Sequence, residues 1–335
     1  MKFTDLEQKL EQKAEKLIKE YKMICSGDNI LVAFSGGSDS SSLLFFLMRN
    51  FDRDKIYAAH MNHMIRGEEA DNDEKFAVDI CDKYNIKIFV ERKNIPEIAK
   101  NEKKSIEEAA RNERYDFFRR TADLIGVNVK IATAHTASDN TETVIFNLAR
   151  GCGINGLSGI APVNKNIIRP FLSCSKEDVL EYCGKNKIDY VEDKTNFKDI
   201  YTRNFIRLNI ASKLKEKFNN VDENIFKTTE IMRDAADFLD FCVDDILKDK
   251  TEIIDVNFLL SQHKSVRRTV ISRLYENAVC PEIRKLEYKH ILYVEEILEK
   301  SNASIDLPGF VTVRISGKDL IFERITNKKT SSNRK

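Results

Sequence analysis

A short turn near the N-terminus has the residue types and spacing of a phosphate site. Residues 30–34 form an apolar run typical of a buried strand, and Ser-Gly-Gly-Ser-Asp-Ser and an apolar helix start follow it. Gly36 and Gly37 let the backbone approach a ligand, and amides at a helix start converge on negative charge. Asp39 could hold a cation that bridges phosphates. The residues of this turn that could contact phosphate are Ser35, Gly36, Gly37, Ser38, Asp39 and Ser40. The alternative is an ordinary capped turn, because serine and aspartate are common helix caps.

A second polar group follows the next apolar run, where a strand should end. It contains His60, Asn62, His63 and Arg66, which could donate to phosphate or hydrogen-bond a base. A metal site on the two histidines would need a third ligand that the local sequence does not supply.

Two arginines lie on one face of a predicted helix over residues 105–125. Ser105 and Glu108 have the spacing of a capping box. Arg111 and Arg114 are three residues apart and therefore point the same way. They could meet a phosphate, or they could belong to a solvated surface.

Two acids share the first turn of the next predicted helix. Asp139 and Glu142 are three residues apart, shortly after His135. Such carboxylates could bind Mg²⁺ or accept a proton from an incoming amine. Alternatively, they are there because the helix dipole favours acids at an N-terminus.

Basic residues that could track a nucleic-acid backbone occur in two places. Arg203, Asn204 and Arg207 belong to a mixed polar stretch over residues 193–207, which could also be a polar loop. Residues 264–289 hold seven basic and three acidic side chains, a net charge of +4 that includes Arg267, Arg268 and Arg273. The alternative is a helical face that solvates the domain.

The elements that must position these groups alternate between strands and helices. We predict strands over residues 30–34, 56–60, 86–91 and 129–134 and helices over 3–22, 40–50, 71–84, 105–125 and 139–149. Alternation implies parallel crossovers, so we expect an α/β fold with a doubly wound, mostly parallel sheet whose ligands bind beyond the carboxyl ends of its strands.

The alternation of strand and helix patterns ends at about residue 218, and mainly helical patterns follow. We expect a catalytic domain over residues 1–217, including the N-terminal helix, and a smaller, mainly helical domain over 218–325 that ends in a short β hairpin. The polar, basic tail 326–335 is predicted to be disordered.

Composition narrows the class of protein. The 335 residues are 42% hydrophobic and carry 55 basic and 54 acidic side chains, which leaves a net charge of +1. Binding of a polyanion would therefore require a local patch of basic side chains. Seven scattered cysteines without a Cys-x-x-Cys pair favour a reducing cytoplasm. No apolar stretch reaches the roughly 18 residues of a membrane span, and the N-terminus lacks a signal-peptide core. The sequence leaves the oligomeric state open, with a homodimer among the options.

The motifs together resemble the tRNA(Ile)-lysidine synthetase family, whose phosphate turn is that of the PP-loop pyrophosphatases. They extend over about residues 25–215 and read Ser35-Gly-Gly-Ser-Asp-Ser40, His60-x-Asn-His-x-x-Arg66, Glu108-Ala-Ala-Arg111-x-x-Arg114-Tyr, Ala134-His-x-x-x-Asp139-x-x-Glu142-Thr, Arg150-Gly-x-Gly-x-x-Gly-Leu, Arg169-Pro, Asp193-x-x-Asn196 and Arg203-Asn-x-x-Arg207. The resemblance implies a Rossmann-like fold, ATP and Mg²⁺ as cofactors, and adenylation of the wobble cytidine in the CAU anticodon of tRNA(Ile). By the same resemblance, the amine of free L-lysine would then displace AMP to form lysidine.

The same resemblance implies roles for the residues. Asp39 would coordinate Mg²⁺, and Arg111 or Arg114 would stabilise the transition state. Asp139 and Glu142 would anchor the lysine ammonium or act as base, with the assignment open. The second group and His135 would contact the nucleotide, and Arg203, Asn204, Arg207 and the basic stretch would contact tRNA.

Two features depart from the family. Ser138 stands where members commonly have the first aspartate of an Asp-Asp pair, and the chain resembles a short form because many members continue into a further C-terminal domain. The alternatives are a tRNA thiolase of the same superfamily, which needs cysteine pairs, and a nucleotide- or tRNA-binding module without catalysis.

Overall fold

The computed structural model describes residues 7–191, 202–248, 252–279 and 286–324. The chain divides into two compact units, Met1–Met232 and Arg233–Lys335, with the division inside a long helix. The domain boundary expected at residue 217 stays a prediction. The expected tail 326–335 and the motif residues Asp193 and Asn196 lie outside the described residues.

The first unit is built on a six-stranded sheet in the order β3-β2-β1-β4-β6-β5. The strands are β1 Asn29–Ala33, β2 Ile56–Asn62, β3 Lys87–Arg92, β4 Val129–Ala132, β5 Val163–Asn164 and β6 Ile167–Ile168. All neighbouring pairs are parallel except β5 and β6. This confirms the prediction of a doubly wound, mostly parallel sheet.

Helices cover both faces of that sheet. Those before the long helix are α1 Glu7–Glu20, α2 Ser38–Asn50, α3 Glu68–Tyr84, α4 Ile95–Glu102, α5 Ile106–Ile125, α6 Ala137–Arg150, α7 Ile154–Leu157, α8 Lys176–Asn186, α9 Thr202–Phe205 and α10 Ser212–Lys217, with a π-helical turn at Ile206–Ala211. Helix α4 was not predicted, because its eight residues are marked chiefly by the Asn94 cap and a proline in the first turn.

The apolar run of β1 explains why it is central. Ile30 and Val32 face a core that includes Leu43, Leu44 and other residues of α2. Leu31 faces the opposite core, against Phe117 and Phe118 of α5. Side chains alternate along a strand, so a strand buried on both faces must be continuously apolar.

The long helix α11, Val221–Leu247, spans the division, and the second unit continues with α12 Val256–Ser261, α13 Lys264–Ala278 and α14 Tyr288–Ile297. Its antiparallel sheet has the order β7-β10-β9-β8, with β7 Ile253–Asp255, β8 Ser304–Leu307, β9 Val311–Ser316 and β10 Asp319–Arg324. The predicted hairpin therefore corresponds to β8 and β9, two of the four strands of this sheet. Val313 and Phe322 of the sheet and Leu274 of α13 belong to the core of this unit.

Candidate active site

Residues 35–40, the turn predicted to bind phosphate and called the phosphate turn below, lead from β1 into α2 at the carboxyl ends of the strands. Gly36 has a φ of +85°, and a Cβ there would lie 3.1 Å from the ring of Phe76, so this position requires glycine. Gly37 is extended and is the N-cap of α2, which it does not cap through a side chain. The first amides of α2 therefore form the kind of helix terminus that binds anions.

Ser40 stabilises this turn through hydrogen bonds to other residues of the turn. Its hydroxyl donates to the Gly37 carbonyl at 3.1 Å and accepts from the Ser35 amide at 3.2 Å, and the two serine hydroxyls are 3.1 Å apart. The buried Ser40 thus holds the turn in shape, while its predicted contact with phosphate stays a prediction.

Asp39, the predicted cation ligand, contacts a cationic side chain from distant sequence. Lys176 of α8 places its Nζ 2.5 Å from Asp39 Oδ1 and 2.9 Å from Ser38 Oγ. Burial raises the pKa of the Asp39 carboxyl, and Lys176 opposes that shift. Two oxygen atoms thus converge on one cation, as hard oxygen donors would around Mg²⁺.

A cavity of about 540 Å³ opens beyond the ends of β1, β2 and β4. Its size suits a nucleotide. It brings together ten of the predicted site residues, namely Ser35, Asp39, Ser40, His60, Asn62, His63, Arg66, Arg114, His135 and Asp139. Strands β1 and β4 are neighbours although they are far apart in sequence, so this is a topological switch point of the sheet.

The three histidines of this cavity favour the neutral form. Burial lowers the pKa of His60, whose Nδ1 lies 2.9 Å from the Phe34 carbonyl. Burial and the nearby Arg114 lower the pKa of His63 to about 4. Burial also lowers the pKa of His135, and its ring lies 3.0 Å from the Thr133 hydroxyl. Neutral imidazoles here could hydrogen-bond a base or a ribose without adding charge.

Asn62 and Arg66 are tied to α3. The Asn62 amide donates to Asp71, Glu74 and the Ala70 carbonyl, and Arg66 forms an ion pair with Asp73 at 3.2 Å. These contacts fix the wall of the cavity next to β2.

Arg111 and Arg114 both lie against one aromatic ring. Their guanidinium carbons are 5.3 and 5.9 Å from the centre of the Tyr115 ring. Arg114 lines the large cavity; Arg111, which is exposed, is not among its lining residues. The buried Arg169 hydrogen-bonds Tyr115 and donates to the Ala161 carbonyl at 2.6 Å. The Arg169-Pro motif marked this residue, but sequence spacing gave no sign of its contact with Tyr115.

Asp139 has a structural contact as well as a place in the site. Its Oδ2 accepts from the Thr136 amide at 2.7 Å and from the Thr136 hydroxyl at 2.8 Å, which closes a capping box on α6. The interpretation as a helix-terminus acid is therefore correct at this position. It does not exclude chemistry, because Asp139 also lines the large cavity.

A second cavity, of about 300 Å³, lies beside the first and shares Asp39 and Asp139 with it. Glu142, the other predicted acid, lines this second cavity and forms an ion pair with Arg207 at 3.8 Å. Lys176 and Lys215 complete its cationic side. The two predicted acids thus face the second cavity together, and only Asp139 faces both.

Asp222 is a functional candidate that the sequence reasoning missed. It is 5% exposed, and it accepts from Ser138 at 2.6 Å, from Thr141 at 2.8 Å and from Lys215 at 2.6 Å. Ser138 is the position where the family commonly has an aspartate, so a carboxylate from another helix is hydrogen-bonded to it here.

The predicted tRNA-contacting residues divide into three sets. The side chain of Arg203 lies outside what the structure describes, Asn204 lies in α9, and Arg207 faces Glu142. In the second unit, Arg267 and Arg268 both pair with Glu295, at 3.0 and 2.7 Å. Arg273 pairs with Asp240 and Asp244 at 2.7 and 3.0 Å. These ion pairs offset part of the positive charge that the sequence count suggested.

Comparison with known proteins establishes the family. The family model of the PP-loop domain matches residues 6–214. These residues include the turn over residues 35–40, the strands β1, β2 and β4 at the large cavity, and helix α8. The chain belongs to the PP-loop family. The expected use of ATP follows from this domain.

Among curated proteins, the PP-loop chain is similar to tRNA(Ile)-lysidine synthases. It is 36% identical over 308 residues to that of Caldanaerobacter subterraneus subsp. tengcongensis, covering 89% of this chain and 65% of the relative. It is 34% identical over 300 residues to that of Clostridium tetani, covering 86% of this chain and 62% of the relative. The resemblance seen in the motifs is confirmed, and the chain spans less than two thirds of the length of these relatives.

Among solved structures, the U34-tRNA thiolase NcsA from Methanococcus maripaludis has a similar fold, with a TM-score of 0.56 at 16% identity. The match covers 69% of this chain and 81% of that one. Within the described ranges, no helix is long and apolar enough to cross a membrane. The same part of the chain holds no group of three or more His, Cys, Asp or Glu side chains placed to share a metal.

Proposed function

We propose that this PP-loop protein is a tRNA(Ile)-lysidine synthase that joins free L-lysine to the wobble cytidine of a CAU anticodon. The observation that supports this best is the pair of adjoining cavities that share Asp39 and Asp139. A nucleotide in the larger cavity and an amine in the smaller one would meet at these two carboxylates. The similarity to curated synthases supports the same assignment.

In the first step, the C2 oxygen of cytidine attacks the α-phosphorus of ATP. An oxygen–phosphorus bond forms, the bond from the α-phosphorus to the bridging oxygen breaks, and pyrophosphate leaves. The amides at the start of α2 stabilise the departing charge. Asp39 and Ser38 would hold Mg²⁺, which, when bound, neutralises phosphate charge. Arg114, which lines this cavity, would contact the α-phosphate.

In the second step, the lysine amine attacks C2, and AMP departs with the C2 oxygen. A lysine ammonium has an ordinary pKa of about 10.4 and must lose a proton before it attacks. Asp139 is suited to receive that proton, because it faces both cavities. Glu142 faces only the smaller cavity and is suited to anchor an ammonium.

The anticodon would approach over the cationic residues around the second cavity. Arg207 and Lys215 line it, and each is held by an acid of the same unit, Glu142 and Asp222 respectively. The roles of Arg203, Asn204, Arg267, Arg268 and Arg273 in tRNA binding remain part of the proposal, and contacts with phosphate would make binding weaken steeply with salt.

The cellular setting proposed for this protein is the cytoplasm. Six cysteines of the described residues are present as thiols, among them the buried Cys81 and Cys174, whose pKa values burial raises to about 12. Unreactive buried thiols are compatible with a reducing compartment. A homodimer stays an expectation.

Pyrophosphate release separates this function from its alternatives. We expect release from ATP to require both L-lysine and an isoleucine tRNA with a CAU anticodon. Release that needs tRNA but not lysine would contradict the proposal and favour another base-activating enzyme; no release under any condition would favour a binding module.

A further inference from the structure

Lys176 is placed at the phosphate-binding end of α2 by the start of another helix. It is the first residue of α8, after the N-cap Ser175. Its side chain is 27% exposed, and its Nζ contacts Asp39 and Ser38, which are among the first residues of α2. The ammonium therefore lies where the first amides of α2 would bind pyrophosphate.

The other cations of the second cavity are held differently. Lys215 pairs with Asp222 at 2.6 Å, and Arg207 pairs with Glu142 at 3.8 Å. For Lys176, Asp39 is the only carboxylate within ion-pair distance in the described part of the chain. The carboxylate that balances Lys176 is thus the one proposed to hold Mg²⁺.

One carboxylate oxygen cannot serve both cations in the same way. Magnesium binds oxygen at about 2.0–2.1 Å and needs a nearly ideal octahedral shell, so it would compete with the ammonium for Asp39 Oδ1 and Ser38 Oγ. The backbone of Lys176 is fixed at a capped helix start, but its four-carbon side chain can turn. A short rotation would carry the ammonium from Asp39 to phosphate oxygens bound at the start of α2.

We propose that Lys176, which pairs with Asp39, is a phosphate-contacting catalytic residue whose ammonium turns to the leaving pyrophosphate when ATP and Mg²⁺ bind. The inference rests on the proposed ATP cleavage but on neither lysine nor tRNA. A cation at the leaving group stabilises the charge that develops as the phosphorus–oxygen bond breaks.

Calorimetric titration of the full chain with inorganic pyrophosphate and Mg²⁺ tests this inference. Lys176→Met and Lys176→Gln should weaken binding about tenfold to a hundredfold, the effect of losing one hydrogen bond to a charged group. Lys176→Arg should stay within about threefold, because it keeps the charge. The matched control is Lys185→Met, since Lys185 lies on the same helix and pairs with Glu181 at 2.7 Å. Unchanged or tighter binding in Lys176→Met would show that Lys176 only balances Asp39.

The wild-type protein gives an independent measurement if a variant fails to fold. Reductive methylation of lysines, followed by mass spectrometry, should slow at Lys176 and not at Lys185 when pyrophosphate and Mg²⁺ are added. Equal rates at Lys176 with and without pyrophosphate would overturn the inference. Neither assay contains RNA or free L-lysine. Failure to form lysidine would therefore count against the proposed function and not against the proposed contact of Lys176 with pyrophosphate.

Discussion

Two aspartates in matching capping boxes allow structural and chemical roles to be separated. Asp139 caps α6 with Thr136, and Asp178 caps α8 with Ser175. Only Asp139 lines the two cavities. Replacing each by asparagine keeps a carbonyl acceptor for the cap and removes the charge, so the two variants make a matched pair.

The expected stability losses follow from the contacts of each carboxylate. Asp139 accepts two local hydrogen bonds, and Asp139→Asn should cost about 1 kcal/mol or less through the weaker cap and helix dipole. Asp178 is buried, which by itself raises its pKa, but hydrogen bonds from Lys13 and Lys9 outweigh that effect and lower the pKa to about 2. Asp178→Asn should therefore cost roughly 2 kcal/mol at neutral pH.

For activity, in contrast to stability, we expect the larger loss in Asp139→Asn. Removing a general base typically slows a reaction by about a hundredfold to ten-thousandfold. Asp139→Asn should therefore lower the rate of lysine-dependent pyrophosphate release at least about a hundredfold. Asp178→Asn should leave that rate within about threefold, since Asp178 lines neither cavity and asparagine keeps a carbonyl acceptor for the cap that fixes the start of α8 and Lys176.

Urea unfolding and pyrophosphate release on the same preparations give both quantities. The pH dependence of unfolding gives a further check on Asp178. Its folded-state pKa is lowered, so its stabilisation should be complete above about pH 4 and disappear as the pH falls toward 2. The reasoning would be refuted if Asp139→Asn were the less stable variant and kept its activity, because Asp139 would then be a cap and nothing more.

Two further outcomes follow from the geometry of the site. Gly36→Ala should lower the free energy of unfolding by about 1–2 kcal/mol, because Gly36 has a φ of +85° and its Cβ would meet Phe76 at 3.1 Å. Gly37→Ala, at a φ of −74° with 3.7 Å of space, should stay within about 0.5 kcal/mol in the same urea titration, and equal losses would contradict this account. His63 has a pKa lowered to about 4 by burial and by Arg114, so the unfolded chain binds more protons between about pH 4 and 6.5 and stability should rise with pH across that window. In His63→Gln the slope of unfolding free energy against pH should be smaller there, and an unchanged slope would show that His63 does not contribute.

Local pattern was enough to predict the framework of the first unit. The apolar run, glycine turn and helix start at residues 29–50 are read from adjacent residues, and the structure has them as β1, the turn and α2. Alternation of strands and helices likewise predicted the parallel sheet, because crossovers join neighbouring elements along the chain.

Contacts between distant segments could not be predicted in this way. Lys176 is 137 residues from Asp39, and Asp222 is 84 residues from Ser138. Nothing in the local sequence of α8 or α11 marks these side chains as partners of the site, since an ordinary charged residue near a helix start looks the same. The short strand β7 was missed for a similar reason, because its three residues become a strand only by pairing with β10.

Charge counting along the chain was a weaker guide to the surface. Seven basic residues in the stretch 264–289 suggested a phosphate-binding face. Arg267, Arg268 and Arg273 lie within ion-pair distance of acids from other helices, which no count over one segment can reveal, and their contact with phosphate stays a prediction. The attraction that a basic side chain exerts on a phosphate therefore depends on its burial and on its ion pairs as well as on its formal charge.

The central claim is that the two cavities bring an adenylated base and an amine together at Asp139. The most direct test is mass spectrometry of the wobble nucleotide after the full chain is incubated with ATP, Mg²⁺, isotope-labelled L-lysine and a tRNA(Ile) transcript bearing CAU. The account predicts labelled lysine covalently attached to that cytidine in the wild type, and an initial rate of labelling lower by about a hundredfold or more in Asp139→Asn. Unmodified cytidine with the wild type, or equal labelling with both proteins, would contradict it.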